Sequence, residues 1–286
     1  VRLPSSAGTT NMTHRRLRAG FLGRVSYEDG LRLQEDAAGR LRKGPPGEES
    51  ETLLLLEHPP VVTLGKNASD TEIIAPPEQL ESRGVAVFRC DRGGKATFHG
   101  PGQLVGYPVL NLKPDRCDVG RFVADLEETI IRLLALHGIS GGRFPGYTGV
   151  WVDLASPGER PAMLAGDGRL RTREGRAGAP APPPPTIRKI AAIGVHLARW
   201  ITTHGFCLNV HPDLSFYDLI VPCGIRDFGV TSLAEILGRE ISVEVIAASY
   251  VSIFCERFQR TAIPFDDWPV RALESPANRF APAAAS

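Results

Sequence analysis

The chain of 286 residues is 42% hydrophobic and 23% charged, with a formal net charge of +1. That suits one large globular domain, gives no electrostatic case for a nucleic-acid partner, and includes no run of about 18 apolar residues that could span a membrane. The five cysteines (Cys90, Cys117, Cys207, Cys223, Cys255) are scattered, with no Cys-x-x-Cys pair. This argues for free thiols in a reducing compartment and against a disulfide scaffold or zinc knuckle.

In chain order, residues 1–20 form a basic N-terminal segment. From Val1 to Tyr27 there is no acidic residue, while Arg2, Arg15, Arg16, Arg18 and Arg24 are present. That is the composition of a mitochondrial presequence, and equally of a disordered basic tail. Residues 21–265 read as one folded domain and residues 266–286 as a C-terminal tail. Leu31, Gln34, Ala37, Ala38 and Leu41 recur at helical spacing within residues 27–41. Leu53–Leu56 and Val61–Gly65 read as short strands around Glu57-His58-Pro59-Pro60, with His58 in a structural role. Val85–Phe88 and Leu104–Leu110 read as two strands joined by a tight glycine-rich loop. Phe122, Leu126, Ile130, Leu133 and Leu134 form one apolar stripe of a helix over residues 118–137, which Gly138 ends. Tyr147–Leu154 reads as a strand.

Residues 155–186 are rich in Gly, Ala, Arg and Pro, with five prolines after Ala179. They read as a disordered insertion within the domain. Beyond it, residues 190–201 read as a strand running into a second through Thr202-Thr203, with a turn at His204-Gly205 and a further strand over Phe206–Val210. Ser232 opens a helix with a capping box, Ser-Leu-Ala-Glu, and Val243–Phe258 is the last amphipathic helix. Strands and helices mix without strict alternation, so the expected fold class is α+β with a mixed sheet in a single domain.

Chemistry concentrates in the stretch Arg92–Gln103, which has four glycines within ten residues alongside Lys95, Thr97 and His99. Glycine lets another group approach the backbone closely. Such a loop could hold a carbonyl, a phosphate or an acyl chain. Cys223, between Pro222 and Gly224, is the candidate nucleophile; the reactive form is the thiolate, which a nearby cation favours. Lys189, just before an apolar strand, is a candidate cation. Cys207 lies in an apolar run and reads as a core residue. Among the histidines, His99 has the strongest claim to a site and His204 a weaker one.

Taken together, these motifs resemble the signature of the lipoyl(octanoyl) transferases. The resemblance rests on Arg92-Gly93-Gly94 with Thr97-Phe98-His99-Gly100-Pro101-Gly102-Gln103-Leu104, and on Lys189-Ile190-Ala191-Ala192-Ile193-Gly194. It rests also on Thr202-Thr203-His204-Gly205 with Leu208-Asn209, and on Val221-Pro222-Cys223-Gly224-Ile225 with Val230-Thr231-Ser232-Leu233. Gly23–Tyr27 and His58-Pro59-Pro60 with Thr63-Leu64-Gly65 also fit. The match covers residues from about 20 to about 260, and looks most like the mitochondrial animal members.

The resemblance implies the fold shared by lipoate and biotin protein ligases. It implies transfer of an octanoyl group from octanoyl-acyl carrier protein to one lysine of a lipoyl domain. The acceptors would be lipoyl domains of 2-oxoacid dehydrogenase complexes and the glycine cleavage H protein, in the mitochondrial matrix. Cys223 would hold the acyl group as a thioester, and Lys189 would lower the thiol pKa. Arg92, Gly93, Gly94, Lys95, Ala96, Thr97, Phe98 and His99 would line the acyl pocket. So would Ala192, Ile193 and Gly194 with Gly205, Phe206 and Cys207. No metal or other cofactor is implied, because a thioester donor is already activated. Two other readings share the fold: an ATP-dependent lipoate or biotin ligase, and a catalytically impaired protein that binds lipoyl domains.

Overall fold

Four consecutive leucines, Leu53–Leu56, are fully buried. A strand with no solvent face must be covered on both sides, and this requirement sets the architecture. The computed structural model describes residues 15–44, 51–114, 116–159, 164, 184–221, 229–265 and 268–269. Its strands are β1 (Arg15–Arg24), β2 (Glu51–Glu57), β3 (Val61–Leu64), β4 (Ala86–Arg89), β5 (Ala96–His99) and β6 (Gln103–Val109). They continue with β7 (Gly142–Phe144), β8 (Tyr147–Asp153), β9 (Ile187–Ala198), β10 (Ile201–Asn209), β11 (Gly229–Val230) and β12 (Arg260–Ile263). The α-helices are α1 (Tyr27–Lys43), α2 (Pro77–Ser82), α3 (Val119–Ala135), α4 (Leu233–Leu237) and α5 (Val243–Phe258).

The main sheet runs β12-β1-β2-β6-β10-β9-β8-β7, with β11 added alongside β9. It is mixed: β1 is parallel to β2 and β12, whereas β2, β6, β10, β9 and β8 pair antiparallel in turn. Successive side chains of a strand face opposite ways. Leu53 and Leu55 therefore join one core with Phe122, Leu126 and Ile130 of α3 and Tyr250 and Phe254 of α5. Leu54 and Leu56 join the other, with Leu33, Ala37 and Leu41 of α1. A second sheet, β4-β3-β5, carries its own small core of Val62, Leu64, Phe98, Leu219 and Ile220.

Several sequence expectations change. The glycine-rich stretch is not one loop. Its centre is β5, which pairs antiparallel with β3, all four residues buried. Positive φ at Gly94 and Gly102 (93° and 84°) turns the chain at either end. His204-Gly205 is no turn either, for both residues lie inside β10 opposite Val195 and Gly194. The hairpin turns at Arg199-Trp200, where both residues have positive φ, as a type I′ two-residue turn requires. Neither is the Gly or Asn that would have signalled it. Strand β1 begins at Arg15, inside the basic segment 1–20. Leu17, Ala19 and Phe21 alternate into the core beneath α5. Residues 1–14 lie outside the described residues.

Most of the low-complexity stretch, residues 160–163 and 165–183, also lies outside them. Leu164 does not: it is fully buried against Trp151 and Ile187. In the C-terminal segment Trp268 docks on α1, its indole N–H donating to Asp36 and its ring 4.8 Å from the Arg40 guanidinium carbon.

The join of β1, β2 and β12 is ionic. Glu51, buried, accepts from the equally buried Arg260 and, at 3.2 Å, from Arg15. Removing one member of a buried ion pair strands the other charge. Arg260→Leu is expected to cost about 3 kcal/mol in urea unfolding. The double variant Glu51→Leu/Arg260→Leu should recover most of that loss.

Candidate active site

The β9–β10 hairpin brings two separate sequence motifs face to face. Ala192 pairs with Cys207, Ile193 with Phe206, and Gly194 with Gly205. A Cβ on Gly205 would stand 2.1 Å from the Gly106 carbonyl oxygen, so β6 and β10 can lie this close only with glycine there. The glycine-rich stretch hangs on the same hairpin, Gly93 N–H donating to Val195 O at 2.9 Å.

Arg92 holds that stretch in shape. Its buried guanidinium donates to Thr63 Oγ1 and O, to Gly93 O and to Lys95 O, at 2.7–3.2 Å. A buried charge is tolerable when its donors are satisfied, and these acceptors are neutral oxygens. Glu72 ties down the next turn, accepting from Ala96 N–H at 2.7 Å and facing Lys95 Nζ at 3.4 Å.

Between β5 and the β6-β10-β9 surface lies a cavity of about 60 Å³. Of the residues expected in the pocket, Arg92, Gly94, Lys95, Ala96, Thr97 and His99 line it, as do Ala192, Ile193, Gly194, Gly205, Phe206 and Cys207. Lys189 lines it too. Phe98 does not: it points to the small core and stacks on Phe216 at 4.7 Å. Gly93 also lies outside the lining, spent on the Val195 bond. Cys223 falls in residues 222–228, which lie outside the described residues. Tyr27, Tyr107 and His204 complete the wall. Sequence reading passed over the two tyrosines; the signal available was a polar-tipped ring inside an otherwise apolar buried strand, as at Tyr107.

Lys189 is 8% exposed, and its Nζ stands 5.3 Å from the centroid of the buried Trp151 ring, within cation–π range. Gly149, with φ of 123°, forms the other side of its berth: a Cβ there would meet Lys189 Cε at 2.5 Å. Gly149 N–H donates to the buried Glu127 at 2.9 Å, which Arg143 also grips at 2.9 Å. Burial pushes the Glu127 carboxyl up, against the pull of Gly149 N–H, Arg143 and Lys189.

Histidines cluster beside this site. His58 Nδ1–H donates to Val25 O at 2.7 Å, so its Nε2 accepts from Tyr107 OH, also at 2.7 Å. That is the structural role the sequence suggested. His99 is buried, and among the described residues its Nδ1 has no hydrogen-bond partner. Burial lowers the pKa of His99, and His58, Arg92 and His204 lower it further. Cys207 borders the cavity, but burial pushes its thiol up despite Arg92 and Lys189, making it a poor nucleophile.

Burial holds His58 at about 4 in the folded chain, against 6.5 for the free group. Its stabilising contribution is whole above about pH 6.5 and is lost as pH falls from there to about 4, up to about 3 kcal/mol. The urea midpoint should therefore drop between pH 7 and pH 5. His58→Asn, weaker at pH 7, should lose less over the same interval.

Residues 26–255 match the family described as lipoyl protein ligase A/B catalytic domain. An octanoyltransferase of Chloroflexus aggregans is 44% identical over 260 residues, 91% of this chain and 99% of the relative. One from Rubrobacter xylanophilus is 45% identical over 236 residues, 82% of this chain and 90% of the relative. The chain spans 58% of a longer octanoyltransferase from Myxococcus xanthus, at 45% identity over 237 residues and 83% of this chain. These relatives are bacterial and lend no support to a particular likeness to mitochondrial animal members. In fold, the chain is similar to a putative lipoate protein ligase of T. acidophilum with bound lipoic acid (TM-score 0.59, 13% identity, 91% of this chain and 92% of that one). It is similar also to lipoate-protein ligase A bound with ATP (TM-score 0.57, 13% identity, 91% and 92%). With the mixed sheet and its glycine-walled cavity, these likenesses establish that the chain belongs to the lipoyl protein ligase A/B catalytic-domain family, among the octanoyltransferases, and is an acyltransferase.

Proposed function

We propose that the chain takes an octanoyl group from octanoyl-acyl carrier protein onto Cys223 as a thioester and passes it to one lysine of a lipoyl domain. In the first step the Cys223 thiolate attacks the donor's thioester carbonyl, the new C–S bond forms, the donor's C–S bond breaks, and the leaving thiolate takes a proton from the Lys189 ammonium, which is left neutral. In the second, the acceptor amine attacks the acyl carbon, the C–N bond forms and Cys223 leaves as thiolate. Lys189 favours that thiolate by its charge and, when neutral, takes a proton from the acceptor amine. N–H donors of the glycine-rich wall suit the oxyanion of either step.

One observation carries this reading. The chain on either side of residues 222–228 is fastened to the cavity that Lys189 lines. On one side Val221 N–H donates to Glu72 O at 2.7 Å, and Glu72 in turn holds Ala96 of the wall. On the other, Val230 pairs with Lys189, and Thr231 N–H donates to Lys189 O at 3.0 Å. The chemistry of Cys207 adds support, because the one described cysteine that borders the cavity is suppressed by burial. For the acceptor, a similar archaeal lipoate protein ligase was studied with its E2 lipoyl domain. The proposal attaches to no compartment: the relatives named are bacterial, and residues 1–14 of the basic segment lie outside the described residues.

Intact mass after incubation with octanoyl-acyl carrier protein, without ATP, should rise by one octanoyl group and fall again on adding apo lipoyl domain. Cys223→Ala should show no gain, and Cys207→Ala a normal one. A gain that survives Cys223→Ala would place the nucleophile elsewhere. Lys189→Arg keeps the charge but not the base, so discharge to the lipoyl domain should slow by about 100-fold or more. Unimpaired turnover would remove Lys189 from both roles.

A further inference from the structure

His204 of the cavity wall and its partner Asp91 form a titratable pair that the two transfer steps through Cys223 leave unused; a role for this pair rests on the octanoyl-transfer reading. His204 lines the wall with its side chain 4% exposed, and its Nε2 lies 2.7 Å from Asp91 Oδ1. Asp91 is 54% exposed, so the pair reaches from the cavity to solvent. The other Asp91 oxygen lies 3.2 Å from His196 Nε2, and Lys66 Nζ stands 3.3 Å from His196 Nδ1.

The backbone at His204 is an independent observation. Its φ is 56°, a left-handed value in the middle of a paired strand. Helix α1 fastens it there: His204 N–H donates to the buried Gln34 Oε1 at 2.6 Å, and Gln34 Nε2 donates to Gly30 O at 3.1 Å. Strain of this kind persists where the surroundings impose it, and it clusters at sites of function.

Proton balance supplies the need. An acceptor lysine arrives as ammonium and ends as an amide N–H. When Cys223 leaves as thiolate, two protons must go elsewhere. Neutral Lys189 takes one and becomes the ammonium that faces the thiolate. The second needs another base with a route to water.

We infer that His204, oriented by Asp91, accepts this second proton and passes it to solvent. With Nε2–H donating to Asp91, Nδ1 carries the lone pair, and the imidazolium that forms faces a carboxylate. The charged groups around His204 fit the task. Burial lowers its pKa, with Arg92 and His196 acting the same way and Asp91 opposing them. The ring is therefore neutral at pH 7 and ready to accept. Tyr107, its ring centroid 6.4 Å away, and buried His99 complete the titratable surroundings.

The test is steady-state transfer from octanoyl-acyl carrier protein to apo lipoyl domain, followed by product mass from pH 5.5 to 9. His204→Gly removes the ring and suits the positive φ, so it should fold as well as the parent. Turnover should fall by about 100-fold or more, KM should change little, and added imidazole should restore part of the rate. Asp91→Asn should lower the maximum rate and move the acid limb to lower pH, because the group that raises the His204 pKa is gone. Turnover of His204→Gly within about threefold of the parent, or a loss that imidazole does not touch, would overturn the inference. The two readings separate in the parent enzyme: transfer without any octanoyl-enzyme mass removes the Cys223 thioester, and the imidazole result still decides His204. No octanoyl transfer by the parent enzyme would end both.

Discussion

A single buried guanidinium is the constraint on which the rest of the site depends. Arg92 spends its hydrogen bonds on Thr63, Gly93 and Lys95, tying β3 to the glycine-rich stretch that walls the cavity. Its acceptors are uncharged, so its positive charge is fixed in place and not cancelled there. Interactions between charges are stronger where water is excluded. Arg92 accordingly reaches His99, His204 and Cys207: it reinforces burial in lowering the two histidines and opposes, without overcoming, the upward push of burial on Cys207.

The outcome is a site whose imidazoles are held neutral. Burial is the leading cause at His58, His99 and His204, and Arg92 reinforces it at the last two. Fixed positive charge then comes from Arg92, while the neutral His204 ring remains available to accept a proton. The proposed transfer, in which an ammonium ion is deprotonated at neutral pH, would benefit from this division of labour. Asp91 is the exception that opens the cluster to water, held below the usual carboxylate range. Burial works against that ionisation, but the hydrogen bond from His204, and the charge of His204 and His196 when protonated, outweigh it.

Much of this was legible in the sequence, and the rest was not for identifiable reasons. The apolar stripe from Phe122 to Leu134 gives α3 directly, because its period is local. Most of the wall residues were found from motifs, and the hairpin register explains why Ala192–Gly194 and Gly205–Cys207 belong together. Strand β5 was hidden because its four residues sit between glycines, and what makes them a strand is β3, distant in sequence. The turn at Arg199-Trp200 was hidden because neither residue announces positive φ. His204 looked like a turn residue beside Gly205, when its positive φ belongs instead to a strand interior. The Glu51–Arg260 pair joins opposite ends of the chain and has no local signature at all.

Leu164 changes how the low-complexity stretch between β8 and β9 should be regarded. It packs against Trp151, whose ring centroid also lies 5.3 Å from Lys189 Nζ. A backbone carbonyl and Cβ at Leu164 also come within 2.4–2.5 Å of where a side chain on Gly142 would begin. The stretch is therefore not a dispensable appendage whose excision leaves the domain untouched. Trimming the chain wholesale, Leu164 included, would open a void beside the indole that supports the lysine. Among the described residues of the stretch, Leu164 is the one buried side chain, and it is the one to keep.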